Sequence, residues 1–394
     1  MKDHRSSVCQ SCHRNVSTIP TPGERTPSSD VRLQRALEAV SRYRKLYEAK
    51  IKESAAEERL ITLFETSIGS LPSIPVELQK APAILSHTKR KTVETPLLAF
   101  GDLHIGQIVS LSETNGINAY NFDIFQDRLE HLERRVVDIL FSHQASDYPE
   151  LVVASLGDNV SGLIHDELAK YGAQHIIDQV FIGATAVAVF LQRLSTRFKR
   201  LRYVGISGNH GRTAKGKPES QQYYRNFDYL FNNIIAARLR GNRKIRIEIP
   251  KAIFTVLDVA KHKILLSHGM ELPPATMGLP AYSINRASGG YQELLRMVGD
   301  HYDYWILGHL HRPMELDTAI VNGCFPGYDS YAVGKLFKPI KPTQKLIGFH
   351  PAHGKSWEYP IKLDQAPKAK IYKFTHDMGA VEALETAEAV VADI

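Results

Sequence analysis

Cysteine is scarce in this chain: Cys9, Cys12 and Cys324 are the three in 394 residues. Three thiols build no disulfide framework and fit a reducing compartment. The first residues, MKDHRSSVCQ, lack the apolar core of a signal peptide, and no apolar run in the sequence approaches the roughly 20 residues that span a bilayer. A cytoplasmic protein with no membrane association is therefore expected. A nucleotide-binding P-loop is missing as well. Gly211 to Lys217 has the glycine and lysine spacing of one, but Pro218 stands where a Ser or Thr must hold Mg²⁺. Cys9-Gln10-Ser11-Cys12-His13 has the spacing of half a zinc site without a second ligand pair, and reads as a thiol-bearing tail.

What the chain has in excess is positive charge. The formal net charge is +7 and the sequence pI about 9.1, which favours a polyanionic partner. Basic residues crowd the stretch from Arg193 to Arg246, and a second run, Lys335, Lys338, Lys341 and Lys345, follows later. Aromatic residues interleave with the first run at Tyr223, Tyr224 and Phe227. Cations that track a phosphate backbone beside rings on which bases stack point to nucleic acid. Arg212, Lys215, Lys217, Tyr223, Tyr224 and Arg225 are the candidate substrate contacts. His165, with Asp166 after it, is a further candidate to reach substrate, a solvated helix start being their other role.

Five short motifs carry the chemistry: Gly101-Asp102-Leu103-His104, Gly157-Asp158-Asn159, Gly208-Asn209-His210, His268-Gly269 and Gly308-His309-Leu310-His311. Each follows an apolar run that reads as a buried strand: Leu97 to Phe100, Leu151 to Leu156, Leu201 to Ser207, Lys263 to Ser267 and Tyr304 to Leu307. The carboxyl ends of strands in an open α/β sheet rim its functional crevice, so residues far apart in sequence can meet there. Oxygen and imidazole donors without thiolate suit Mn, Fe or Zn better than Mg or Ca alone.

In order and spacing the five motifs resemble the calcineurin-like metallophosphoesterase superfamily, over roughly Leu97 to Leu316. That resemblance implies a four-layer α/β/β/α sandwich and a centre of two divalent metal ions, manganese first, iron or zinc as alternatives. It implies that Asp102, His104 and His311 hold one ion and Asn209, His268 and His309 the other. Asp158 would bridge them, a metal-bridging hydroxide would attack phosphorus, and His210 would be the general acid. GDLHIG and GHLHRP are similar to the DNA-repair exonuclease branch of the SbcD type and its phage and bacterial relatives. The phosphatase branch continues its second block as GDxxDRG, and its arginine is missing from Gly157-Asp158-Asn159-Val160-Ser161-Gly162. The usual acidic residue after GNH is missing too, Gly211 and Arg212 following instead, so a partner to orient His210 must come from elsewhere.

Proline and glycine punctuation divides the chain into a disordered arm (1–30), an N-terminal helical segment (31–70), a linker (71–94), the phosphoesterase domain (95–364) and a C-terminal acidic tail or helix (365–394). Leu33, Leu37, Val40, Tyr43, Tyr47 and Ile51 form an amphipathic seam able to pack on the domain or pair a homodimer. Ala319 to Phe325, Leu346 to His350 and Trp357 to Ile361 read as strands completing a second sheet. The function expected is a two-metal phosphodiesterase, a nuclease on DNA or RNA, with a separate ATPase subunit as a possible partner. The alternatives are a phosphoesterase of a cyclic nucleotide, dinucleotide or phosphoprotein, and a non-catalytic scaffold, against which the full ligand set argues.

Overall fold

A computed structural model describes residues 38, 41, 42, 45, 92–143, 146–163, 175–213, 223–272, 280–335 and 337–374. The chain divides into two units, Met1–Ser67 and Ile68–Ile394. In the first, Glu38, Ser41, Arg42 and Lys45 are helical and exposed. The seam from Leu33 to Ile51, Cys9 and Cys12, most of the linker, His165, Asp166, Lys215, Lys217 and the tail from Asp377 lie outside the described residues.

The second unit is built on two sheets. In the first, β1 (Thr95–Phe100), β2 (Glu150–Ser155), β3 (Arg200–Gly205) and β4 (Ile245–Glu248) run parallel, in that order. The second holds β5 (Phe254–Val259), β6 (His262–Ser267), β7 (Tyr304–Leu307), β8 (Met314–Glu315) and β9 (Ala319–Val321), ordered β5-β6-β7-β9-β8, with β6, β7 and β9 parallel. Two strands then return to the first sheet: β10 (Thr343–His350) pairs antiparallel with β1, and β11 (Gly354–Lys362) with β10. This corrects the expectation that the late strands complete the second sheet, which only β9 does. Strand β10 is buried on both faces from Thr343 to Phe349, which requires a position inside a covered sheet.

Side chains alternate across each strand and sort the apolar residues into three layers. Leu98 and Phe100 of β1, Leu151 and Val153 of β2 and Tyr203 of β3 face α1 (Phe122–Phe141), α2 (Ile176–Ser195) and α3 (Phe227–Leu239). Their neighbours Leu97, Ala99, Val152, Ala154 and Val204 face the other way and meet Ile264, Leu266 and Ile306 of the second sheet. On the far side of that sheet Leu265, Trp305 and Leu307 pack against Ile284, Tyr291 and Leu295 of α4 (Pro280–Met297). The order is helix, sheet, sheet, helix, the architecture the resemblance implies.

Helix α2 corrects one reading of the sequence. Its 20 residues are long and apolar enough, by length and composition, to cross a membrane, yet most are buried inside the domain. It packs between α1 and α3 on the sheet, so it is apolar over most of its surface because most of its surface is covered.

Packed chain continues past Asp364. Tyr372 and Phe374 are buried in the helical layer, and side chains of α1 hold their backbone. Asp127 Oδ1 accepts Ala369 N (2.7 Å), Glu130 Oε2 accepts Lys370 N (2.8 Å) and Ile371 N (2.9 Å), and Gln126 Oε1 accepts Phe374 N (2.6 Å). No strand ladder satisfies these amides, so side-chain oxygens of α1 replace one. Glu130→Ala is expected to leave the amides of Lys370 and Ile371 without this acceptor, at a cost of about 1–3 kcal/mol. Urea unfolding should show the lower midpoint, and limited proteolysis earlier cleavage near Lys370.

Candidate metal centre

Five parallel strands end at one place. β1, β2 and β3 of the first sheet lead into Asp102 and His104, Asp158, and Asn209 and His210; β6 and β7 of the second lead into His268 and into His309 and His311. The exits are sharp. Asp102 (φ 49°), His104 (46°), Asp158 (51°), His309 (66°) and His311 (57°) all lie in the left-handed region, with Asn115, Ala260 and Lys261 the other non-glycine residues there among those described. Such backbone costs energy for a residue bearing a Cβ and persists where surrounding structure over-determines it, typically at functional sites. Neighbouring glycines make room. A Cβ on Gly208 would collide with the Asp158 carboxylate, and one on Gly308 with that of Asp102.

The loops are pinned from several sides. Asp102 N donates to Gly157 O (2.9 Å) and His104 N to Asp158 O (3.0 Å), while Gln344 Oε1 of β10 accepts Gly101 N (3.0 Å). Tyr120 donates its hydroxyl to Leu103 O (2.5 Å). His309 N donates to the Asp102 carboxylate, and His210 N to Asp158 Oδ1 at 2.7 Å.

Two donor clusters result, each straddling the two sheets. In one, His104 Nε2 and His311 Nε2 are 3.0 Å apart, with Asp102 Oδ1 3.4 Å from His311 Nε2. In the other, His268 Nε2 lies 3.0 Å from Asn209 Oδ1, 3.1 Å from Asp158 Oδ2 and 3.2 Å from His309 Nδ1. Donors about 2.1 Å from a common ion stand about 3.0–3.4 Å from one another at octahedral or tetrahedral angles. The spacings therefore suit donors arranged around a common ion. Asp158 joins both sides: its carboxylate belongs with His268 and His309 and also groups with His104 and His210. Nδ1 of His268 donates to Leu156 O (2.7 Å), so Nε2 is the nitrogen that faces the cluster.

Burial decides the electrostatics. It opposes the charged form of Asp158, but the imidazoles of His268 and His210 prevail and hold that carboxyl well below its ordinary range. Burial likewise disfavours the His268 imidazolium, yet Asp158 pushes it up to about 10. His309 is driven down to about 3 by burial and by His268, and His104 well below its usual value by burial and by His210 and His311. Crowded imidazoles cannot all hold protons, and the lone pairs of His309 and His104, which are driven down, suit a divalent cation.

His210 is oriented by backbone on its Nδ1 side. Its Nδ1 faces Ser161 O at 2.8 Å, and its Nε2 lies 4.0 Å from Asp158 Oδ2. Arg212 is half-buried at the rim, its Nε donating to Asn209 O (2.9 Å). Arg225 is exposed, Tyr223 half-buried, and Lys251 Nζ sits 5.7 Å from the Tyr224 ring centroid. Phe227 is not available for stacking: it packs against the helical core layer. The basic stretch does not form one stripe either. Arg193 pairs with Glu133 inside the helical layer, Arg238 is fully buried in α3, and Arg246 pairs with Glu248 on β4.

Sequence reasoning missed Asp228. Fully buried in the first turn of α3, its carboxylate accepts Asp158 N (2.9 Å), Asn159 N (3.0 Å), Asn159 Nδ2 (3.2 Å) and Gly208 N (2.8 Å). It thereby ties the loop of Asp158 to that of Asn209. Burial and the nearby Asp158 push its carboxyl up to about 6. A signal was present: Asn226 caps α3, accepting Asp228 N and donating to Gly208 O, and Asn-Phe-Asp after a ligand loop is a helix-start signature.

Comparison with protein-family models and with curated sequences finds no match. Among solved structures, the chain is similar to Vps29 complexed with zinc from Entamoeba histolytica, at 12% identity and TM-score 0.27 over 68% of this chain and 99% of that one. It is similar to a predicted phosphoesterase of Streptococcus pneumoniae at 10% identity and TM-score 0.24, over 68% and 98%. For phosphopantetheinyl hydrolase of Mycobacterium tuberculosis the values are 15% and 0.24, over 58% and 88%.

Asp228→Asn keeps the volume but turns an amide group toward backbone donors. The expected result is a folded protein whose affinity for Mn²⁺ falls about 10–100-fold, measured by isothermal titration.

Proposed function

We propose that this chain is a two-metal phosphodiesterase that hydrolyses nucleic acid. The observation carrying this is the pair of donor clusters joined through Asp158, because a bridging carboxylate is what holds two like charges side by side. Asp102, His104 and His311 would hold one cation, Asn209, His268 and His309 the other, and Asp158 both. Cations so placed clamp a phosphoryl group, activate water and stabilise charge on the entering and leaving oxygens. Manganese suits the oxygen and imidazole donors, with iron or zinc as alternatives.

The chain's own residues do the rest. His210, with Nδ1 engaged by Ser161 O, presents Nε2 toward Asp158 and can protonate the departing alkoxide. Arg212 and Arg225 stand near the GNH loop, where an incoming backbone phosphate would meet them. A diester is favoured over a monoester by Gly162, which occupies the place of the monoesterase arginine. Its φ is +73°, and a Cβ there would collide with the carbonyl of His210, so no longer side chain fits. The net charge of +7 favours a polyanion over a small substrate.

Purified protein given Mn²⁺ should cut end-labelled single- or double-stranded DNA or RNA, and chelator or His104→Ala should stop it. Asp158→Asn should abolish hydrolysis while the far-ultraviolet circular dichroism stays unchanged. Turnover of bis-p-nitrophenyl phosphate with every polynucleotide left intact would instead favour a small diester as substrate. Full activity of Asp158→Asn would sink the two-metal reading.

His210→Gln separates proton delivery from positioning. Polynucleotide cleavage, with its alkoxide leaving group, should slow by about 10²–10⁴-fold. An ester of p-nitrophenol, whose anion leaves unaided, should lose far less.

A further inference from the structure

Beyond the last ligand motif the chain runs through Cys324 to Asp329 into α5 (Ser330–Gly334), and this segment is anchored beside the metal centre. Phe325 N donates to Asp102 O (2.9 Å). Gln107, three residues after His104, donates to Asp329 Oδ2 (3.4 Å), and Asn118 Nδ2 donates to Pro326 O and Tyr328 O (2.7 Å each). From this fixed base two aromatic side chains reach solvent: Tyr331 is 65% exposed and Phe337 55%. Single exposed apolar residues are ordinary, but these two rings touch, with centroids 6.1 Å apart at 75°. Lys335 Nζ stands 5.9 Å from the Tyr331 ring centroid, and Lys338 is exposed next to Phe337. The nearest acid in sequence, Asp329, is engaged, one oxygen accepting from Gln107 and the other from Ala332 N at the start of α5.

We infer that Tyr331, Phe337 and Lys335 form a nucleobase-binding site at the rim of the metal centre, taking an unpaired base on the rings and its phosphate on the ammonium. This rests on the nuclease reading above and adds that the strand presented to the centre is single-stranded there. A duplex hides its base faces, whereas a single strand offers both a π-face and a phosphate charge, the pair of features this patch matches. Chain reach supports the placement. Tyr331 is two residues from Asp329, at most about 7 Å, and Gln107 is three from His104, at most about 11 Å. The patch therefore lies within a few nucleotides of the ligands.

The test is binding of full-length, Mn²⁺-loaded protein to a phosphorothioate-linked oligothymidylate and to its abasic counterpart of equal length and charge, followed by fluorescence anisotropy. The wild type should bind the base-bearing strand at least about fivefold tighter, the scale of one stacked base. Tyr331→Ala with Phe337→Ala should bind both strands alike, while Tyr331→Phe, which keeps the ring, should retain the preference. Equal binding of both strands by the wild type, or a preference surviving in the double variant, would overturn the site. Metal-dependent cutting of the ordinary strands is scored separately, so failure of the nuclease reading shows as absent cleavage and failure of the patch as absent base preference.

Discussion

The two sheets must pack face to face for the candidate metal centre to form, and the rest of the domain is arranged around that contact. Neither sheet holds a complete ligand set. The first supplies Asp102, His104, Asp158 and Asn209 as candidate donors, the second His268, His309 and His311, and both donor clusters draw on the two together. The apolar layer between them, from Leu97 and Val152 to Ile264 and Ile306, therefore sets the distances between nitrogen and oxygen atoms several residues away. Helices α1 to α3 and α4 cover the outer faces and keep that layer dry. Strand β10 extends the first sheet beside β1 and sends Gln344 to hold the backbone of Gly101.

On this frame the ligand loops are held in conformations they would not choose alone. Five candidate ligands occupy left-handed backbone, a local cost offset by the many main-chain and side-chain bonds that fix the loops. Asp228 makes the most of these, reaching two loops at once from the start of α3. A rigid helix terminus thus sets the relation between Asp158 and Asn209, which a flexible loop could not hold to the same tolerance.

Charge is organised by depth. Inside, two carboxylates and four imidazoles share a small buried volume, where His268 is pulled up and His309 and His104 are pushed down. At the rim, Arg212 and Arg225 stand near the GNH loop and Lys335 beside the exposed rings of Tyr331 and Phe337. On the proposed function, an anionic polymer would meet fixed positive charge at the edge before it reached the donor clusters at the centre. Between them stands His210, held by the carbonyl of Ser161.

Much of this was legible in the sequence. Strands ending in Asp102, Asp158, Asn209, His268 and His309 are marked by apolar runs that stop at glycine-flanked polar motifs, a local pattern set by backbone sterics and burial. The ligand types follow from the same motifs. What no local pattern carries is which strand lies beside which. Leu346 to His350 has the composition of any buried strand, and only pairing with β1 puts it in the first sheet. Phe227 and Arg238 look available in a basic, aromatic stretch, yet the alternation of strand and helix turns them inward, while Tyr331 and Phe337, far along the chain, come out beside His104's loop. The sequence by itself determined the donor atoms and the strand ends that bear them, because those depend on neighbours along the chain. The tertiary structure alone decided the Asp228 clip, the backbone partner of His210 and the exposed ring pair, because each depends on contacts between segments that sequence distance does not order.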